Sequence, residues 1–217
     1  MEQVFIDNIS KSFEEKRIFS GGSMSIKTGD IIGLFGRNGT GKSTMLSIFF
    51  GAIPADSIFL KHNEKVILSR NRFKKIFALS PQFVFLPDMR THNLIKMFLG
   101  KTDDSFIDDD LIKDILSKKV SELSFGSKKY LQTKLILHNR QPFCMLDEPY
   151  SGLSPLIIEK INIIIKTQSV KKGIIITDHD YFSVLEISTH NYILNDGSLF
   201  CLKSKEELTN YEYLSKT

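Results

Sequence analysis

Gly36-Arg37-Asn38-Gly39-Thr40-Gly41-Lys42-Ser43-Thr44 fits G-x-x-x-x-G-K-[ST], the spacing of a phosphate-binding loop. That pattern also recurs by chance, so its surroundings decide. Before it, Ile31-Ile32-Gly33-Leu34-Phe35 predicts a buried strand; after it, Ser43 to Phe50 predicts a helix. Strand, glycine-rich turn and helix, in that order, aim backbone N–H groups and the positive end of a helix at phosphate oxygens. Lys42 is then placed to reach the β- and γ-phosphates, and the Ser43 hydroxyl to ligate magnesium. Gly36, Asn38, Gly39, Gly41 and Thr44 complete the expected cradle.

A second stretch, Phe143-Cys144-Met145-Leu146-Asp147-Glu148-Pro149, is an apolar run ending in two carboxylates, with Pro142 before it. It predicts a buried parallel strand. At the carboxyl end of such a strand Asp147 can hold magnesium through water, and Glu148 can polarise an attacking water. Phosphoryl transfer asks the protein for little beyond such positioning and charge. Taken alone, the pair also reads as a helix-capping turn.

Leu123-Ser124-Phe125-Gly126-Ser127, between these two, resembles the L-S-G-G-Q signature of ATP-binding cassette (ABC) ATPases. Other family elements follow in order over nearly the whole chain. Phe13 resembles the aromatic that stacks on adenine, although as one of 17 phenylalanines it reads equally as core. Gln82, in Ser80-Pro81-Gln82, matches the Q-loop glutamine, which the resemblance makes a catalytic and magnesium-binding residue. Ser151-Gly152-Leu153-Ser154-Pro155 resembles the D-loop, and His179, in Thr177-Asp178-His179-Asp180, matches the switch histidine that senses the γ-phosphate. Ser124 and Gly126 would contact nucleotide across a dimer interface. The resemblance implies ATP and Mg2+ as ligands, a second cassette in a homodimer or heterodimer, and a separate membrane permease. The Thr177–Asp180 stretch is similar to the ATPases of lipopolysaccharide export and branched-chain amino-acid uptake.

Three positions depart from the family, and the first is Ser127, which stands where the signature has glutamine. Phe125 stands where the signature has glycine, so a positive φ there would be costly. Ser154 stands where the D-loop usually has aspartate, which puts its cross-dimer contact in doubt. Phe125 and Ser154 motivate an alternative, a regulatory module that scarcely hydrolyses ATP. A soluble ABC ATPase of cofactor assembly or nucleic-acid work is the other.

Composition agrees with one cassette. The 217 residues are 41% hydrophobic, enough for a real core, and no apolar run approaches the ~20 residues that span a bilayer. Met1-Glu2-Gln3-Val4-Phe5 carries no secretory pattern. Cys144 and Cys201 are far apart and read as reduced thiols. The expected location is cytoplasmic, peripheral at the inner face of the cell membrane. A net charge of +4 is too mild to argue for nucleic acid, and none is expected. The pairs Lys74-Lys75, Lys118-Lys119, Lys128-Lys129 and Lys171-Lys172 read as solvated faces. The other histidines, His62, His92, His138 and His190, have no metal-ligand spacing.

The expected architecture is therefore α/β, a single nucleotide-binding domain over 1–217. Residues 1–82 and 123–217 would form a P-loop NTPase core with a mostly parallel sheet and an N-terminal antiparallel β part. Residues 83–122 would form a short inserted helical subdomain, with helical spacing at Asn93 to Gly100 and Asp109 to Lys118. Strands are expected at Val4-Phe5-Ile6 and Ser23 to Ile26, with a hairpin of Ile58–Leu60 on Val66–Leu68. A helix is expected from Ser127 to His138, and Asp196-Gly197 predicts a hairpin turn. Phe83-Val84-Phe85-Leu86-Pro87, directly after the Q-loop, reads either as core or as the lining of a groove that receives a permease helix.

Overall fold

A computed structural model describes residues 1–14, 16–68, 73–100, 104–204 and 207–210. The last residues of the expected domain, 211–217, lie outside that set.

The chain opens with three strands, β1 (Gln3–Phe13), β2 (Lys16–Gly22) and β3 (Met24–Lys27), and β1 pairs antiparallel with both others. Strand β4 (Ile31–Phe35) is buried along its whole length and leads into helix α1 (Lys42–Phe50). The hairpin of β5 (Ser57–His62) and β6 (Lys65–Val66) adds to β1. A single turn, α2 (Phe73–Ile76), precedes β7 (Phe77–Ser80). Three helices follow, α3 (Thr91–Leu99), α4 (Asp104–Ile107) and α5 (Asp110–Lys113). The long α6 (Phe125–His138) then leads to β8 (Phe143–Asp147). From there strand and helix alternate: α7 (Pro155–Ser169), β9 (Gly173–Thr177), α8 (Tyr181–Ile187) and β10 (His190–Asn195). Strand β11 (Ser198–Leu202) returns through the Asp196-Gly197 turn, both of whose residues have positive φ, before the last turn α9 (Glu207–Asn210).

Neighbouring strands run β6-β5-β1-β2-β11-β10-β4-β9-β8-β7. The segment β10-β4-β9-β8-β7 is parallel throughout. This is a P-loop NTPase fold with an antiparallel N-terminal part. Strands β4, β8 and β9 are buried on both faces, as a sheet covered by helices requires. Removing each large aliphatic side chain from water is worth about 1.5–3 kcal/mol, so these short strands outweigh their length in stability. One consequence of the register sets up the site: Asp147 lies opposite Thr177 and Gly33 opposite Ile176, so the carboxyl ends of the central strands finish at one edge.

Several expectations change. β2 lacks alternation and ends in two glycines, so it gives no strand signal, yet it carries the antiparallel part onto β11. The helix expected over Asp109 to Lys118 is one turn long. Beyond it Ile115, Leu116 and Lys118 donate to carbonyls three residues back, and the chain then pairs Lys119 with Arg90. Helix α6 begins at Phe125, two residues early, because Ser124 caps it: the Ser127 N–H donates to Ser124 Oγ at 3.1 Å. Phe125 is thus an ordinary first-turn helical residue, and no positive φ arises there. Two lysines read as solvated are buried. Lys129 is 0% exposed, and Lys172 donates to the Asn139 and Gln141 carbonyls at 2.6 and 2.5 Å.

Candidate nucleotide site

The loop between β4 and α1 turns sharply. Gly36 has φ +149°, and a Cβ there would lie 2.6 Å from the Leu194 carbonyl oxygen. Gly41, at φ +102°, packs against Ile18 and Phe19 with the same lack of space. No L side chain fits either position. Directly after Gly41, Lys42 folds back over the loop, its Nζ donating to the carbonyls of Gly36 at 2.6 Å and Arg37 at 3.2 Å. Burial pulls the Lys42 pKa below its ordinary value, opposed by the negative charges of Glu148 and Asp147.

Carboxylates from β8 meet this loop. Ser43 Oγ donates to Asp147 Oδ1 at 3.1 Å. Burial raises the Asp147 pKa, the Ser43 hydrogen bond opposes the rise, and the charge of Glu148 adds to it. Glu148 leaves the strand at φ +50°, a left-handed conformation that costs a non-glycine residue of order 1 kcal/mol or more. Its N–H bonds the Thr177 carbonyl at 2.7 Å, which holds the bend. The side chain is thereby aimed between two partners. Gln82 Nε2 donates to Oε2 at 2.8 Å, and His179 Nε2 lies 3.0 Å from Oε1. Asp178 braces the surroundings by accepting the N–H groups of Tyr150 at 2.7 Å and Asp180 at 3.0 Å, and burial raises its pKa.

A cleft of about 400 Å³ gathers Asn38, Gly39, Gly41, Lys42, Ser43 and Thr44 with Gln82, Glu148 and His179. Asp147 sits beneath, against Ser43. Three sequence candidates lie apart. Phe13, at the end of β1, is half-exposed, with Lys11 Nζ 4.9 Å from its ring centroid. Ser124 and Gly126 start α6, and Gly126 faces Leu153 and Ile157 of the D-loop and α7. The Phe125 ring lies against Gly152, whose added Cβ would sit 2.9 Å from Phe125 Cε1.

A family profile described as "ABC transporter" matches residues 19–151, more than half of the chain. The chain belongs to the ABC transporter family. Among similar proteins is the lipopolysaccharide export system ATP-binding protein LptB of Haemophilus influenzae, 24% identical over 97% of this chain and 94% of that protein. The Escherichia coli K12 protein of the same name is 24% identical over 96% and 93%. The xylose/arabinose import ATP-binding protein XylG of Sulfolobus acidocaldarius is 27% identical over 97% and 91%. A solved ATP-binding subunit of an ABC transporter superposes with a TM-score of 0.83 over 99% of this chain and 95% of its own, at 18% identity. These matches make the chain an ABC ATP-binding subunit, from a family that binds and hydrolyses ATP. They favour neither the soluble nor the regulatory alternative. The branched-chain amino-acid likeness finds no support in them.

Sequence reasoning missed Lys129 and Gln132, both buried on α6 beneath the Q-loop. No sequence signal marked them: α6 is buried almost continuously from Lys129 to Leu137, and these two polar residues within it find their partners on the segment after β7.

Proposed function

We propose that this ABC subunit binds Mg2+-ATP in the cleft at the carboxyl ends of β4, β7, β8 and β9, and hydrolyses it to drive a separate membrane permease. The observation that carries the hydrolytic part is the seating of Glu148. Its carboxylate is oriented by Gln82 on one side and His179 on the other, above the Lys42–Ser43–Asp147 group. Glu148 takes a proton from the attacking water, His179 and Gln82 hold that carboxylate and meet the γ-phosphate, and Lys42 turns to the β- and γ-phosphates. Ser43, Asp147 and the side-chain carbonyl of Gln82 offer the hard oxygen donors magnesium favours, and few protein ligands suffice because the ion keeps waters and phosphates. Bound there, magnesium supplies positive charge at the transferring phosphoryl oxygens. Phe13 stacks on the base.

In this reading two cassettes close on ATP, each presenting Ser124 and Gly126 to the other's nucleotide. Phe83 and Phe85 are 79% and 86% exposed, so the core explanation of this segment does not hold for them. Phe85 borders a groove of about 440 Å³ lined with Phe50, Pro81, Leu86 and Phe98, and we assign this as the permease contact. Such a partner places the chain at the inner face of the membrane; among the described residues no helix is long and apolar enough to cross one. Within the family we group the chain with the lipopolysaccharide-export ATPases, on the relatives of that name that span nearly all of it.

The test is Phe85→Asp. A charge buried unpaired in the groove is costly. The variant should keep its fold and ATP affinity and lose co-purification with membrane proteins. A folded variant that still co-purifies contradicts the assignment.

A further inference from the structure

Residues 81–85 leave β7 for the cleft without a strand or helix of their own. Helix α6 holds their backbone instead. Lys129 Nζ donates to the Gln82 carbonyl at 2.5 Å. Gln132 lies one turn later on the same face of the helix. Its Oε1 accepts the Phe85 N–H at 2.8 Å, and its Nε2 points at the Pro81 carbonyl at 3.1 Å, Ser80 Oγ at 3.3 Å and the Phe83 carbonyl at 3.4 Å. Lys129 is fully buried and Gln132 nearly so. An ammonium group is expensive to bury, and an apolar side chain of similar length would fill the same space without that cost. What the lysine adds is the carbonyl bond, within electrostatic reach of Asp147, Asp178 and Glu148.

The clamped segment has functional groups at both ends. The Gln82 side chain holds Glu148, and the Phe83 and Phe85 rings stand in solvent. The same helix begins at Ser124. We propose that Lys129 and Gln132 are positioning residues that lock residues 80–85 to α6, so that the Glu148 contact, the signature end of the helix and the exposed phenylalanines shift as one body. The proposal rests on the reading of Gln82 and Glu148 as part of the hydrolytic site.

Gln132→Leu and Lys129→Met in the full chain test it, with hydrogen exchange at the Phe85 amide read beside ATP turnover. Exchange at Phe85 should quicken by about tenfold, the worth of one lost hydrogen bond with its local closure. Affinity for ATP should stay near wild type, while kcat falls by roughly tenfold with KM little changed, because the loss lies in the transition state. The double variant should lose scarcely more than the worse single, since both side chains hold one segment. A merely structural pair would lower thermal stability without this split. A folded Gln132→Leu whose Phe85 amide exchanges at the wild-type rate overturns the clamp, as does a loosened amide with untouched turnover. If Lys129→Met does not fold, Gln132→Leu decides alone. A wild-type chain without turnover would overturn the hydrolytic reading, and the exchange rate would still decide the clamp.

Discussion

Glu148→Gln keeps the size of the side chain and removes its ability to accept a proton. The two contacts of Glu148 determine what the new amide can do. Gln82 Nε2 donates at 2.8 Å, so the amide oxygen must face it. The amide nitrogen then faces His179 Nε2 at 3.0 Å, which can accept when the imidazole proton is on Nδ1. Both contacts survive, and the φ of +50° is a property of the backbone bend rather than of the charge. The cost to folding should stay below about 1 kcal/mol. What disappears is the base, worth roughly 10²–10⁴ in rate, or about 2.7–5.4 kcal/mol of transition-state stabilisation. Phosphate release at saturating ATP, with a thermal melt and a nucleotide titration, separates these effects. The variant should fold, bind ATP and accumulate as an ATP-held dimer on gel filtration. Turnover close to wild type in a folded, ATP-binding variant would refute the assignment of Glu148, and His179 would become the next candidate.

Gly152→Ala places a Cβ at φ +74° and 2.9 Å from Phe125, so it should cost about 1–2 kcal/mol in a melt, partly recovered in the double variant with Phe125→Ala; a double variant that recovers nothing would mean that Phe125 is not seated there. Phe125→Gly puts glycine in the first turn of α6 and should lose about 0.5–1 kcal/mol rather than relieve strain, which the same melt reads. Burial raises the Asp147 pKa, so the folded carboxyl takes up its proton at a higher pH than the ordinary value of about 3.9. The stability contributed by this group is therefore full below that ordinary value and lost as pH rises through the folded one. Magnesium needs the carboxylate, so affinity for Mg2+-ATP should weaken as pH falls into that window, and Asp147→Asn should remove the step. An identical pH profile for the two proteins would count against Asp147 as a ligand.

Much of the fold was legible because its signals are local. Gly36 to Thr44 encodes a turn, and the strand before it is a run of apolar residues that a doubly covered sheet demands. The Phe143–Asp147 strand is legible for the same reason, and Asp196-Gly197 states its hairpin directly. Expectations failed where a distant segment decides. Strand β2 is held by β1 and β11 rather than by its own pattern. The burial of Lys129 and Lys172 depends on carbonyls of Gln82, Asn139 and Gln141, which lie elsewhere in the chain, so neighbouring charges gave no warning. The feared strain at Phe125 vanished because Ser124 caps the helix and Phe125 takes its first position. In the site, sequence order brought Lys42, Ser43, Gln82, Asp147, Glu148 and His179 into view, but their hydrogen bonds and the clamp under the Q-loop required three dimensions.

Phosphate release by the purified chain, wild type beside Lys42→Ala, is the most direct measurement. Lys42 is buried in the loop with its Nζ on the Gly36 and Arg37 carbonyls, where the β- and γ-phosphates would draw it. The wild type should release phosphate from ATP in the presence of magnesium, and Lys42→Ala should lose that turnover together with most nucleotide binding. A folded wild type that releases none, or a Lys42→Ala protein that hydrolyses ATP like the wild type, would contradict the assignment of this cleft as an ATP-hydrolysing site.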